Sequence, residues 1–248
     1  MSFSVVALGV GDAFSRRFYS TAFLLESAGR KLLIDCPHPI HKMLYEAEFF
    51  LGQPERFDDI PAVILTHYHA DHCSGLEMFS YHRTRIAGRE PARLLAHPEV
   101  LQDLWEKRLA LSMGGTLGDR RLEDFFEPVE LHDDRETTCG TFSIRCRRTK
   151  HSVPTFALRI TASGHTLSYS SDTSFDPALI RWLSEDASMI IHETNIPPHT
   201  RYADLRELPP EIRSRMYLVH YPDDFPSQDP QIPCLEQGRE YLIGENSR

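Results

Sequence analysis

The sequence has no surplus of positive charge, no long apolar run and no paired cysteines, and each absence removes a class of function. Lysine and arginine number 27 against 36 aspartates and glutamates, a formal net charge of -9. Such a surface repels polyanions unless its basic groups cluster, so bulk nucleic acid is not the expected partner. No stretch approaches the ~20 apolar residues of a membrane-spanning helix. Residues 1–10 are apolar but lack the basic lead-in and the length of a leader peptide, so a cytoplasmic location with no membrane contact is expected. The five cysteines, Cys36, Cys73, Cys139, Cys146 and Cys234, are odd in number and scattered, with no C-x-x-C pair, which predicts reduced thiols. Repeats and low-complexity segments are also absent. What remains is 248 residues with 41% hydrophobic content, enough to bury a core within one domain over residues 1–248.

The chain alternates β-rich and helical stretches. Strands are predicted over 3–10, 21–26 and 31–35, the last two joined by a turn at Ala28-Gly29. Apolar residues at Ile40, Met43, Leu44 and Ala47 share one helical face after Pro39, and that helix should end near Gly52. Residues 62–65 form a short apolar run behind Pro61 and read as a buried strand. Further on, strands are expected at 93–96, 128–131, 141–148, 155–161, 165–170, 188–191 and, last, 217–219. Helices are expected at 98–113, with Pro98 in its first turn, and at 176–184. Two groups of strands separated by helices suggest two facing sheets with helices on their outer faces.

The strand at 62–65 leads directly into Thr66-His67-Tyr68-His69-Ala70-Asp71-His72-Cys73-Ser74-Gly75. On an extended segment His67 and His69 point to one side, and Asp71 and His72 follow where the chain turns. Imidazoles plus a carboxylate suit zinc and tolerate manganese or iron. Solubility alone does not account for such a cluster at the end of an apolar strand, where loops commonly carry function.

The H-x-H-x-D-H run followed by Gly75 resembles the signature of the metallo-β-lactamase superfamily, and the resemblance extends over nearly the whole chain. It implies an αββα sandwich, an α+β fold of two mixed sheets, with two divalent transition-metal ions, zinc first, at the sheet edges. By the same resemblance His151 looks like the third histidine, Asp172 like the bridging aspartate and His220 like the last histidine. His67, His69 and His151 would then hold one ion and Asp71, His72 and His220 the other, with Asp172 bridging both. The segments Leu8-Gly9-Val10-Gly11, Leu33-Ile34-Asp35-Cys36 and His151-Ser152-Val153-Pro154 look like the tRNase Z and related phosphodiesterase branch. So does His192-Glu193-Thr194 followed by His199. The branch implies catalytic roles for Glu193, which orients His199, and for His199, which protonates the leaving alkoxide; Asp71 could also orient the attacking hydroxide. Two cations that neutralise phosphate oxygens and acidify a water suit that chemistry.

The chain also departs from the branch. Only residues 152–171 separate His151 from Asp172, too few for the arm by which tRNase Z enzymes grip tRNA, and Pro37 stands where glycine is common. A small phosphodiester such as a cyclic nucleotide therefore becomes the expected substrate, hydrolysed by a metal-activated hydroxide, and tRNA does not. The alternatives are a thioesterase or lactonase of the glyoxalase II kind on the same dinuclear site, or a catalytically inactive nucleotide-binding sensor. Arg145 and Arg147 alternate with Arg148 and Lys150 across a strand, so they form no single basic patch. Residues 114–118 lack the Lys-Ser/Thr ending of a P-loop and read as a connector that could line the pocket. His38, His41, His82, His97, His132 and His165 read as surface or structural groups, with His38 and His41 the best placed to approach the site. The tail, 235–248, carries apolar Tyr241-Leu242-Ile243, which either packs back on the domain or pairs with a second subunit as a homodimer.

Overall fold

The computed structural model describes residues 2–133, 135–225 and 231–244. β1 (Phe3–Gly9) is buried along its whole length, so its side chains are apolar on both faces. β2 (Ala22–Ser27) and β3 (Arg30–Ile34) pair antiparallel through the expected turn. Ala28 and Gly29 there have φ of 51° and 70°, the left-handed pair that matches strand twist in a tight hairpin. α1 (Ile40–Leu51) buries Ile40, Met43, Leu44 and Ala47 as their spacing predicts. Gly52, at φ 65°, closes it by donating to the carbonyls of Glu48 and Phe49.

After β4 (Ala62–Ile64) the chain does not remain a loop: α2 (Ala70–Cys73) and α3 (Leu76–Tyr81) follow, and α3 continues into a π-wound turn at His82–Ile86. β5 (Ala92–Ala96) leads to the helix expected at 98–113. It is observed as α4 (Pro98–Leu104), a π-wound turn at Trp105–Leu109 and α5 (Ala110–Met113). β6 (Phe126–Glu130) starts before the apolar run that predicts it. β7 (Thr137–Cys139) has too few apolar residues to be read from sequence. β8 (Phe142–Arg148), β9 (Phe156–Ala162) and β10 (His165–Tyr169) follow as expected. Asp176 caps α6 (Pro177–Ser184) by accepting from the Ala178 amide, with Pro177 in the first turn. The chain ends with β11 (Met189–Glu193), α7 (Tyr202–Arg206), α8 (Pro210–Arg213), β12 (Met216–Val219) and β13 (Glu240–Leu242).

The strand near 217–219 is therefore not the last. β13 pairs antiparallel with β1, Tyr241 opposite Val5, so this part of the tail packs back on its own chain; positions 245–248 lie outside the described residues. One sheet runs β13-β1-β2-β3-β4-β5-β6 and the other β12-β11-β10-β9-β8-β7. They pack face to face: Phe23 of β2 meets Tyr169 of β10 edge-on at 5.0 Å, and Phe3 meets Phe142 at 6.0 Å. Leu179, Ile180 and Leu183 of α6 cover the outer face of the second sheet over Ile190 and Leu218. None of the five cysteines is in a disulfide.

Each sheet has a parallel part, β3-β4-β5-β6 in one and β10-β11-β12 in the other. Asp35, His67, Asp172, Glu193 and His220 all lie at or just beyond carboxyl ends of these parallel strands, where open α/β sheets place their ligands. Asp35, Ser171 and His220 have φ of 58°, 50° and 58°, a conformation costly for residues other than glycine and concentrated here at the strand ends.

Candidate metal centre

The site begins with the chain leaving β4. His67 is fully buried, and its Nε2 lies 3.2 Å from Nδ1 of His69. α2 then turns Asp71 and His72 back toward the same point. Gly75 is needed for that turn to close: its amide donates to the Cys36 carbonyl at 2.8 Å, and a Cβ there would sit 2.5 Å from the Pro37 carbonyl oxygen.

His151, beyond β8, brings Nε2 to 3.1 Å from His69 Nδ1. Asp172 Oδ2 stands 3.7 Å from His67 Nε2 and 3.8 Å from His151 Nε2. These spacings are near the roughly 3.4 Å edge of a tetrahedron with ligand bonds of ~2.1 Å. A second group shares the same aspartate. His72 Nε2 is 3.4 Å from Asp71 Oδ2 and 3.5 Å from Asp172 Oδ1, and His220 Nε2 is 3.6 Å from Asp172 Oδ2. The structure thus brings together all seven side chains that the sequence nominates as ligands, in two groups that meet at Asp172.

The donor set fits a divalent cation. His72 Nε2 and Asp172 Oδ1 are buried, and neither makes a hydrogen bond. His72 Nδ1 lies 2.8 Å from Asp35 Oδ2, which places a proton on that side and turns Nε2 inward. Burial opposes a rise in this ring, yet Asp172, Asp71 and Asp35 lift it well above its ordinary value, so with no ion bound Nε2 takes up a proton that a cation would displace. A buried carboxylate oxygen and a buried ring nitrogen facing each other need a proton or a cation between them, and this donor set suits a cation. The other rings are in the form that binds metal: burial, then the charge of His72, pushes His220 down to about 4. Burial, then His69 and His199, pushes His151 down to about 3. Burial followed by His72 also pulls His67 well below its usual value. Asp71 is depressed as well; burial opposes this, and the charge of His72 overcomes it.

Beside these groups, His199 Nδ1 lies 3.1 Å from both carboxylate oxygens of Glu193. Glu193 is fully buried, and its Oε1 accepts from the Thr173 amide at 2.7 Å, which fixes the carboxylate. Burial pushes the Glu193 carboxyl up. Burial opposes a rise in His199, yet the hydrogen bond and charge of Glu193 raise it. The His199 ring stacks on His220 at 5.5 Å and lies 5.4 Å from His151, against both ligand groups. His192, by contrast, is a buried structural group whose Nδ1 meets the Glu193 carbonyl at 2.7 Å.

Asp35 is the functional residue that sequence reasoning left without a role. It accepts from the Thr66 amide and hydroxyl and holds His72. A lone aspartate closing the apolar run Leu32-Leu33-Ile34 was the available signal. His41, read as a surface or structural group though one of the two best placed to approach the site, lies beside His82 at 4.3 Å, in a separate cavity of about 420 Å³ also lined by Phe57, Phe79 and Arg83. His38 is exposed, and its amide donates to Ser74. His97 stacks on Phe156, His132 pairs with Glu130, and His165 Nδ1 meets Ser188 Oγ. Between His151 and Asp172 there is the β9–β10 hairpin and no arm.

Two mixed sheets that converge at one edge on a histidine and aspartate cluster define a metallo-β-lactamase fold. The crystal structure of the metallo-beta-lactamase fold protein YhfI from Bacillus subtilis matches with a TM-score of 0.77 at 20% identity, over 98% of this chain and 100% of that one. In sequence, the family described as Anti-Pycsar protein Apyc1 matches residues 3–241, and the chain belongs to that family. The Anti-Pycsar protein Apyc1 of Saccharibacillus brassicae is 31% identical over 247 residues, 95% of this chain and 98% of its own. That of Bacillus phage BSP38 is 30% identical over 254 residues, 95% of this chain and 96% of its own. Fold and family together support a hydrolase, and the clustered histidines and aspartates suggest divalent-metal binding. Among the described residues no helix is long and apolar enough to cross a membrane.

Proposed function

We propose that the chain is a metal-dependent phosphodiesterase that hydrolyses cyclic nucleotides. The observation that carries this reading is the meeting of two ligand groups at Asp172, with His199, held by Glu193, stacked against them. His67, His69, His151 and Asp172 would hold one divalent ion, and Asp71, His72 and His220, with Asp172, a second. Zinc suits this donor set, and manganese and iron are compatible with it. Such ions, when bound, neutralise the non-bridging phosphate oxygens and acidify a water.

The remaining work falls to the chain's own residues. Asp35 keeps the His72 proton outward and its lone pair inward. Thr21 Oγ1, 3.4 Å from His220 Nδ1, does the same more weakly for His220. Glu193 holds His199 by Nδ1 and favours its charged form, so that Nε2 would present a proton to the departing ribose oxygen. An alkoxide needs that proton far more than a thiolate does, which favours a phosphodiester over a thioester. Membership of the Anti-Pycsar family supports a cyclic nucleotide as the substrate.

The test supplies purified protein with manganese or zinc and follows cyclic nucleotides, linear oligonucleotides, thioesters and lactones side by side, with phosphorus NMR on the first two. Cyclic nucleotides should be opened, and Asp71→Ala should abolish the reaction. Metal-loaded protein that is inert on every phosphodiester overturns the reading.

A further inference from the structure

Two large apolar side chains stand almost bare on loops that are tied to the His220 carbonyl. Phe14 is 89% exposed and Ile196 70%. They sit on different loops, yet both loops are pinned to the same point. Asn195 Nδ2 donates to Asp12 Oδ2 at 3.0 Å and to the His220 carbonyl at 2.9 Å. The other oxygen of Asp12 accepts from the Phe14 amide at 2.9 Å, and the Ile196 amide donates to Asn195 Oδ1 at 2.7 Å. The Ile196 carbonyl in turn accepts from the His199 amide at 3.1 Å. On the far side of the Phe14 loop, Asp223 accepts from Ser15 Oγ at 2.5 Å and from the Arg16 amide at 2.9 Å. Carboxylates on either flank therefore tie down a loop whose apex carries an unburied phenyl ring.

We propose that Phe14 and Ile196 form the platform on which the substrate's nucleobase rests. The inference builds on the phosphodiesterase reading above. On that reading His199 would serve the departing oxygen of the ribose, and the base is carried by that same sugar, so the loops joined at Asn195 are the surface it would meet. A phenyl ring held in place loses little freedom when a base stacks on it, and every base offers a π face, so the platform selects for the presence of a base more than for its identity. Asn195 is the positioning residue that couples the platform to His220.

The experiment compares cyclic nucleotides with the same cyclic ribose phosphate lacking its base, in Phe14→Ala, Ile196→Ala and the parent protein, with thermal melting to verify folding. Each variant should raise KM for the cyclic nucleotides about tenfold, by loss of a base-stacking contact, with kcat little changed. The abasic compound should be turned over equally by all three. A nucleotide-to-abasic preference that survives both substitutions overturns the platform, and so does a change in oligomeric state with that preference intact. If the parent binds cyclic nucleotides without hydrolysing them, the phosphodiesterase reading fails, and the same tenfold comparison made on Kd decides the platform separately. If the parent neither binds nor hydrolyses them, both fall.

Discussion

His72 and Asp35 meet at 2.8 Å through Nδ1 and Oδ2, both side chains buried, so the imidazole proton is committed outward and its other nitrogen faces the ligand cluster. Removing that orienting carboxylate should loosen the ion without removing a ligand. Asp35→Asn is expected to weaken zinc or manganese binding by roughly 10–100-fold, the usual cost of losing an outer-shell partner. Competition titration against a chromophoric chelator reads this directly, and an unchanged affinity would show that Asp35 serves only packing.

His199→Ala should separate substrates by their leaving groups. A ribose alkoxide needs a proton, so kcat on cyclic nucleotides should fall by roughly 10²–10⁴-fold. A p-nitrophenolate leaves without help, so bis(p-nitrophenyl) phosphate should be hydrolysed at a nearly unchanged rate. Equal losses on both would reassign His199 to binding. Glu193→Gln should give an intermediate loss with the same bias, since the amide oxygen still accepts from Thr173 but no longer holds the His199 charge.

Chelation should cost stability as well as activity. The cluster faces buried ligand atoms toward one another, and His72 Nε2 and Asp172 Oδ1 have no hydrogen bond to relieve them. An ion at about 1,000 times its Kd stabilises by about 4 kcal/mol through mass action. The melting temperature should therefore fall on exhaustive chelation and recover with added zinc or manganese. A melting curve indifferent to both would argue against a resident ion.

Arg56 anchors the tail strand. It reaches Glu240 of β13 at 2.6 and 3.0 Å and Glu26 of β2 at 3.0 Å. Arg56→Ala should destabilise by about 1–2 kcal/mol, since the fork is bidentate and half-buried, and should raise amide exchange in β13. The hydrogen bond from Arg56 outweighs burial and holds the Glu240 carboxyl below its ordinary 4.5. A depressed carboxyl adds stability in full above its unfolded value and loses it as pH falls through the lowered one. Denaturant titrations should thus show the gap between parent and variant closing below about pH 4.5.

The ligand run His67 to His72 was legible because its members lie within six positions at the end of an apolar strand. His151, Asp172 and His220 were reached through resemblance, since a lone histidine or aspartate at a strand end carries no local mark. Asp35 went unassigned for the same reason: its meaning lies in a hydrogen bond across 37 positions to His72. Short elements were lost to weak patterning. β13 spans three residues and gains its strand character from pairing with β1, and α2 is a single turn held by its place beside Cys36.

Local periodicity and one dense motif were sufficient to specify two layers of strands and a metal-ligand chemistry, because alternation, turn residues and clustered imidazoles act over a few neighbouring positions. The meeting of the 67–72 run, His151 and His220 at Asp172, the hold of Asp35 on His72, and the joining of the Phe14 and Ile196 loops at Asn195 were decided by packing. Contacts between distant segments depend on how the two sheets stack and where their parallel strands end, which no short window of residues records.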